Sequence, residues 1–202
     1  MTNRSDTRRN LMDAALETLK SEGIKGTTAR AIAATGDVNQ ALIFYHFGGV
    51  MDLLITAAVE DSRLRAERFR AHLEGVSELP ELAEVARQLH EHDLEEGGVS
   101  AFTQLLAGTA GDPEMAKRLW DGFEPWIELV RSSLAGPLAN TGFDKLLPVD
   151  DLAYSVVALF MGIELLDRLD PDRSPTEALF TTFTQLGGLL EGFLSPLRQQ
   201  DA

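Results

Sequence analysis

Residues 27–54 read TTARAIAATGDVNQALIFYHFGGVMDLL. Thr27 or Thr28 supplies a hydroxyl to cap a helix whose apolar stripe is Ala29, Ile32 and Ala33. Gly36 is expected to close that helix and make the turn, because glycine enters left-handed backbone without a steric penalty. Asn39 caps a third helix, in which Leu42, Ile43 and Phe47 face inward. Gly48–Gly49 then breaks the chain before a longer helix that starts at Val50. Two short helices joined by a tight turn form the layout of a helix-turn-helix, which lays its second short helix in the major groove of DNA.

Working outward, Leu11, Ala14, Ala15, Leu16 and Leu19 recur at helical spacing and predict a first helix over about residues 5–22, ended by Gly23. The fourth helix is predicted over about 50–74, with Leu53, Leu54, Ala57, Ala58, Leu64 and Phe69 as its inner face. Its second half, EDSRLRAERFRAHLE, reads as a solvated surface of mixed charge. At its full length it spans roughly 37 Å, enough to connect two domains. Beyond Gly75, Pro80 opens a helix that Gly97–Gly98 ends, and a short one follows over 100–108. Asp112–Pro113–Glu114 opens another that closes near Gly136–Pro137. Asp150 or Asp151 starts the next, to Leu169, and Ser174–Pro175 the last, to about Leu194. No strand alternation appears, so an all-α chain of about nine helices is expected. The expected domains are a DNA-binding domain over 1–49 and a helical ligand-binding and dimerisation domain over 50–202, with 50–75 as connecting helix.

The chain has 202 residues, no cysteine and a net charge of −14. Without cysteine there are no disulfides, no thiol catalysis and no cysteine-ligated zinc. No apolar run reaches the roughly 18 residues that span a bilayer. The first residues, MTNRSDTRRN, hold no secretion signal, so a cytoplasmic location is expected. The charge is uneven: residues 1–50 carry +1 and residues 51–202 carry −15. A near-neutral head on an acidic body predicts weak non-specific DNA affinity, because phosphate attraction scales with basic groups. No nucleophile–base–orienter set, phosphate loop or metal-ligand spacing is present, so no enzyme, cofactor or metal is expected.

Over roughly residues 8–58 the sequence resembles the TetR family of bacterial transcriptional regulators. The resemblance is carried, in order, by Gly23–Ile24, Thr27–Thr28, Arg30–Ala31–Ile32–Ala33, Gly36, Val38, Ile43–Phe44–Tyr45–His46–Phe47 and Leu53–Leu54. It implies a homodimer with three DNA-binding helices and a helical ligand domain in each subunit, and repression relieved by a small molecule. Three positions depart from the family's usual pattern: Gln40 and Val50 stand where a basic residue is common, and Phe44 where a phosphate-touching tyrosine is common.

The candidate DNA contacts are Thr28, Arg30, Asn39, Gln40, Ala41, Phe44, Tyr45 and His46. Asn39 and Gln40 begin the reading helix, where an amide can pair with an adenine edge; the others sit where phosphate or a base comes within reach. Arg4, Arg8 and Arg9 read either as an arm along a groove or as a disordered tail. The candidate ligand residues are His90, Phe102, Gln104, Trp120, Phe123, Trp126, Tyr154, Met161 and Glu164. Trp120, Phe123 and Trp126 are read on one helix, as one aromatic pocket wall; the other reading is core or dimer contact. Glu164, inside the apolar run AYSVVALFMGIELL, needs a partner if buried, either a cationic ligand or a donor such as Arg168. His90 and His92 are two apart and fall on different helix faces, which argues against a metal site. The candidate dimer interface is Leu159, Gly162, Leu166, Phe180, Phe183, Gly187 and Leu190, from two strongly apolar helices that two copies bring into a four-helix bundle.

The reading that follows is a ligand-responsive repressor that binds operator DNA as a homodimer and is released by an unidentified inducer. A ligand-binding or protein-interaction module without DNA affinity, or an activator, are the alternatives.

Overall fold

The computed structural model describes residues 4–108, 111–139, 147–167, 169, 172 and 174–198. The fold is all-α. Ten helices lie among the described residues: α1 Arg4–Gly26, α2 Ala29–Thr35, α3 Ala41–Phe47, α4 Val50–Leu73, α5 Leu79–Glu96, α6 Gly98–Gly108, α7 Pro113–Trp120, α8 Glu124–Leu138, α9 Val149–Asp167 and α10 Ser174–Arg198. The single helix predicted from Pro113 to Gly136 is two, broken at residues 121–123. There the Gly122 and Phe123 N–H groups bond back to the Leu119 and Trp120 carbonyls in tight turns.

The chain folds as two units, and the division departs from a boundary at residues 49/50. The first is Met1–Leu64 with Gly97–Phe123; the second is Arg65–Glu96 with Glu124–Ala202. The reading head therefore shares its unit with α6, α7 and the first half of α4. Leu11, Leu19, Ile32, Ile43, Leu53, Leu54, Leu105 and Leu119 are sealed from solvent in one core. Leu42 and Phe47 pack against that core, as their inward spacing predicts.

The turns are built by local chemistry. The Thr28 hydroxyl accepts a bond from the Ala31 N–H at 3.2 Å and caps α2. At the α2–α3 turn the left-handed residue is Asp37, at φ 50°, not Gly36. Aspartate tolerates that region better than most side chains do. Gly36 is needed for a different reason: a Cβ there would lie 3.0 Å from the Ala14 Cβ of α1. The Asn39 side chain accepts from the Ala41 N–H at 2.9 Å in the turn that leads into α3, whose N-cap position is Gln40 and not the expected Asn39. Gly48 ends α3 in the left-handed conformation that glycine enters freely.

In the second unit α10 packs along α5 and α9 along α8. Gly187 lies against the backbone of Leu79 and Pro80. The half of α4 read as solvated carries a buried stripe, Ser62, Arg65, Ala66 and Phe69, at helical spacing, whereas Leu64, read as inward, is exposed. Among the described residues no single helix is long and apolar enough to cross a membrane.

Candidate functional site

The first candidate surface is the outer side of α2 and α3. Thr28, Arg30, Asn39, Gln40, Ala41, Phe44 and Tyr45 are exposed there, and His46 is half-buried. The exposed apolar rings stand out: Phe44 is 54% and Tyr45 69% accessible, while Ile43 beside them is fully buried. A seven-residue helix with its rings outward is held in place by its inward side chains and its caps. Gln40, Ala41 and Phe44 follow one another at helical spacing along that outer side. The arm-or-tail reading of the N-terminal arginines is corrected: Arg4, Arg8 and Arg9 belong to α1. Arg8 donates to the His46 carbonyl at 3.3 Å and lies 4.3 Å from the centre of the Phe47 ring. Arg4 lies 5.7 Å from the centre of the Tyr45 ring. Positive charge thus flanks one end of α3.

The nine candidate ligand residues divide between the two units. Phe102, Gln104, Trp120 and Phe123 fall in the first; His90, Trp126, Tyr154, Met161 and Glu164 fall in the second. The chain break at 121–123 ends the expectation that Trp120, Phe123 and Trp126 share one helix. Phe102 is buried in the core of the first unit and meets Phe123 edge-on, with ring centres 4.9 Å apart. The Gln104 side-chain carbonyl accepts the Ile24 N–H at 3.0 Å, next to the kink at Gly23. It fixes the α1–α2 elbow. Tyr154 is more than half exposed, and Met161 is half-buried.

His90 and Glu164, chosen separately from the sequence, meet. The His90 Nδ1 lies 2.5 Å from Glu164 Oε1, and its Nε2 lies 2.9 Å from Asp167 Oδ2. All three side chains are buried. The other Asp167 oxygen accepts from the Thr176 hydroxyl on α10. The rings of Phe180 and Phe160 lie 5.3 and 6.3 Å from the imidazole. Two nitrogens facing two carboxylates are both satisfied when the ring carries both protons. Burial works against that cation, but the hydrogen bonds and charges of Glu164 and then Asp167 outweigh it and hold the ring above its ordinary value. Arg168, the donor first considered for Glu164, lies outside the described residues.

One turn along α5, Asp93 pairs with Arg65 of α4, both buried. The Arg65 guanidinium also lies 5.5 Å from the centre of the Trp126 ring. Asp167 and Arg65 were not singled out from the sequence. The signal for Arg65 was its place in the 62, 65, 66, 69 stripe. His92, by contrast, points to Glu96 at 3.3 Å on a half-exposed face. Among the described residues no group of three or more potential ligands could hold a metal ion.

The proposed dimer residues are of two kinds. Leu159, Leu166 and Leu190 are exposed, as are Leu186, Leu189 and Phe193; Gly162 and Phe183 are partly exposed. Phe180 and Gly187 are corrected: both are buried within the unit, against His90 and against the start of α5.

Residues 11–57 match the family model described as bacterial regulatory proteins, tetR family. No curated protein matches the chain by sequence. Among solved structures, a member of the TetR family (SCO1917) from Streptomyces coelicolor A3 is 26% identical, with a TM-score of 0.61 over 89% of this chain and 96% of its own. The transcriptional regulator FadR from Bacillus subtilis, in complex with stearoyl-CoA, is 16% identical, with a TM-score of 0.73 over 88% and 96%. The multidrug binding protein EbrR, complexed with imidazole, is 24% identical, with a TM-score of 0.62 over 91% and 96%.

Proposed function

For a chain whose residues 11–57 match the tetR family of bacterial regulatory proteins, we propose a transcriptional repressor that a small molecule releases from DNA. Regulators of this family are DNA-binding transcription factors and not enzymes. The observation that carries the proposal is the outward face of α3. A core-anchored short helix turns Gln40, Ala41, Phe44 and Tyr45 to solvent, with Arg4 and Arg8 beside its base. Such a face fits a major groove, with the amide of Gln40 reading a base edge and Tyr45 and Thr28 bonding phosphate.

The functional unit in this reading is a homodimer. Helices α9 and α10 each keep large apolar side chains exposed, among them Leu159, Leu166, Leu189 and Phe193. A second copy covers such rows in an isologous bundle. The two reading helices then meet half-sites about 34–36 Å apart. The inducer binds residues 50–202 and acts by binding one arrangement of the dimer better than the other. Stearoyl-CoA on one similar fold favours an inducer with a largely apolar part.

The test is a titration of the full chain against the DNA just upstream of its own gene, with a scrambled duplex as control, at several salt concentrations. Sequence-selective binding with a modest salt slope is expected. Equal affinity for both duplexes at every salt concentration refutes operator reading and favours the alternative of a ligand module without DNA affinity.

A further inference from the structure

The polar groups buried in the second unit form a connected row. Arg65 of α4 meets Asp93 of α5. His90, three residues earlier on the same side of α5, meets Glu164 and Asp167 of α9. Asp167 in turn takes the Thr176 hydroxyl of α10. Four helices are joined through charged or hydrogen-bonded side chains where apolar packing would have served stability as well. Nothing in DNA reading or in subunit pairing requires this row.

We infer that His90 is a proton-operated latch: with both ring nitrogens protonated it ties α5 to α9 and, through Asp167 and Thr176, to α10, and on losing one proton it lets one of the two carboxylates go. The chemistry follows from the geometry. A neutral imidazole has one donor and one lone pair. Placed between two carboxylate oxygens at 2.5 and 2.9 Å, its lone pair faces a buried negative oxygen. The groups that face the ring are Glu164 and Asp167 from α9. From α10 come the Thr176 hydroxyl, on Asp167, and the Phe180 ring; from α5 itself, Asp93 one turn on, held by Arg65 of α4. The proton leaves to solvent and no other bond is made or broken. Arg65 puts one end of the row on α4, a continuous helix from Val50 to Leu73.

The sign of the pH effect is fixed. The folded ring holds its proton above its ordinary value. The stability it contributes is therefore complete below the unfolded value near 6.5 and is lost as pH rises through the folded one. The latch is shut below the unfolded value and opens as pH rises through the folded one.

Three measurements on the full chain test it. In a nitrogen-15 NMR titration of the histidine rings, His90 should show two protonated nitrogens at pH 7.5 and titrate on the alkaline side of ordinary histidine; a neutral ring at pH 7 overturns the latch. The thermal midpoint of wild type should fall between pH 7 and pH 9, and His90→Gln should be less stable at pH 7 with a flatter profile. Parallel profiles in the two proteins overturn it. If His90→Gln does not fold, Glu164→Gln serves, since removing that charge should shift the His90 titration towards neutrality; an unmoved titration also overturns it. The third readout rests on the proposed function: at constant salt, operator affinity of wild type should change about fivefold or more between pH 7.5 and pH 9, and much less in the variant. Equal changes in both refute coupling to DNA. No operator binding at any pH refutes the proposed function instead, and leaves the latch to the first two readouts.

Discussion

Replacing Asp93 by alanine should be among the most costly single changes in the second unit. Both members of the Arg65–Asp93 pair are buried, the arginine side chain 8% and the aspartate 1% accessible. Removing the carboxylate takes the Asp93 partner from a largely buried guanidinium, and breaking such a buried pair costs about 3–5 kcal/mol. For a unit of this size the thermal midpoint should drop by roughly 10 °C or more. The loss belongs to the buried charge that has lost its Asp93 partner and not to the pair as such. Arg65→Met with Asp93→Leu removes both charges and keeps the volume. Arg65 also gives up a cation–π contact of about 0.5–2 kcal/mol with Trp126, and a methionine sulfur on the same ring returns about 0.3–1.5 kcal/mol. The double variant should therefore lie within about 1 kcal/mol of wild type.

The assay uses the two tryptophans. Trp120 lies in the first unit and Trp126 in the second, so a Trp120→Phe background leaves Trp126 as the reporter of the unit in question. Urea unfolding of this background, of the single Asp93→Ala variant and of the double variant closes the comparison. A single variant that loses less than about 1 kcal/mol, or a double variant as unstable as the single, would refute the reasoning.

Other substitutions address the first unit. Thr28→Ala removes the α2 cap and should cost about 1 kcal/mol in chemical denaturation, with Thr28→Ser close to wild type. Gly122→Ala would place a Cβ 2.8 Å from the buried Phe102 ring and 3.2 Å from the Leu119 carbonyl oxygen. It should lower stability by about 1–3 kcal/mol, and an unchanged urea midpoint would contradict the close approach. Tyr45→Ala touches an exposed ring, so stability should hold within about 0.5 kcal/mol. Its affinity for operator DNA, read by fluorescence anisotropy, should fall about tenfold through the lost phosphate contact.

The sequence made the reading head legible because its signals are local. Thr28 caps α2, Asn39 bonds the Ala41 N–H at the start of α3 and Gly48 ends α3, each through a bond within four residues of itself, and Ile32 and Ile43 mark the buried faces at helical period. Even there one assignment moved: Gly36 was read for its backbone freedom, but its task is contact with Ala14, and Asp37 makes the left-handed turn. Contacts between helices distant in sequence are what a single chain does not announce. Gln104 looked like a pocket residue and is bonded to a backbone 80 positions earlier. Glu164 was marked as a buried charge in want of a partner, and its partner was His90, 74 positions away and marked for another reason. Phe180 looked like a dimer contact because its helix is apolar on more than one side, and nothing local says which side α5 will cover.

These misreadings share a cause that bears on mechanism. Each concerned a polar or aromatic side chain on a helix that packs on two sides, where hydrophobic period alone cannot distinguish a neighbouring helix from a ligand or a second subunit. Position in the fold separates these roles. Side chains that stay exposed, Gln40 at the start of α3, Phe44 and Tyr45 on α3, and Leu159, Leu189 and Phe193 on α9 and α10, are the ones the proposed function assigns to DNA and to a second copy. Those already spent inside, Gln104, Phe102 and the His90 row, shape how the units respond. A regulator needs both kinds. Contact with DNA requires exposed groups, whereas a change in that contact requires buried ones with two arrangements close in energy. A histidine held by two acids is such a group, because one proton separates a satisfied arrangement from a repelled one.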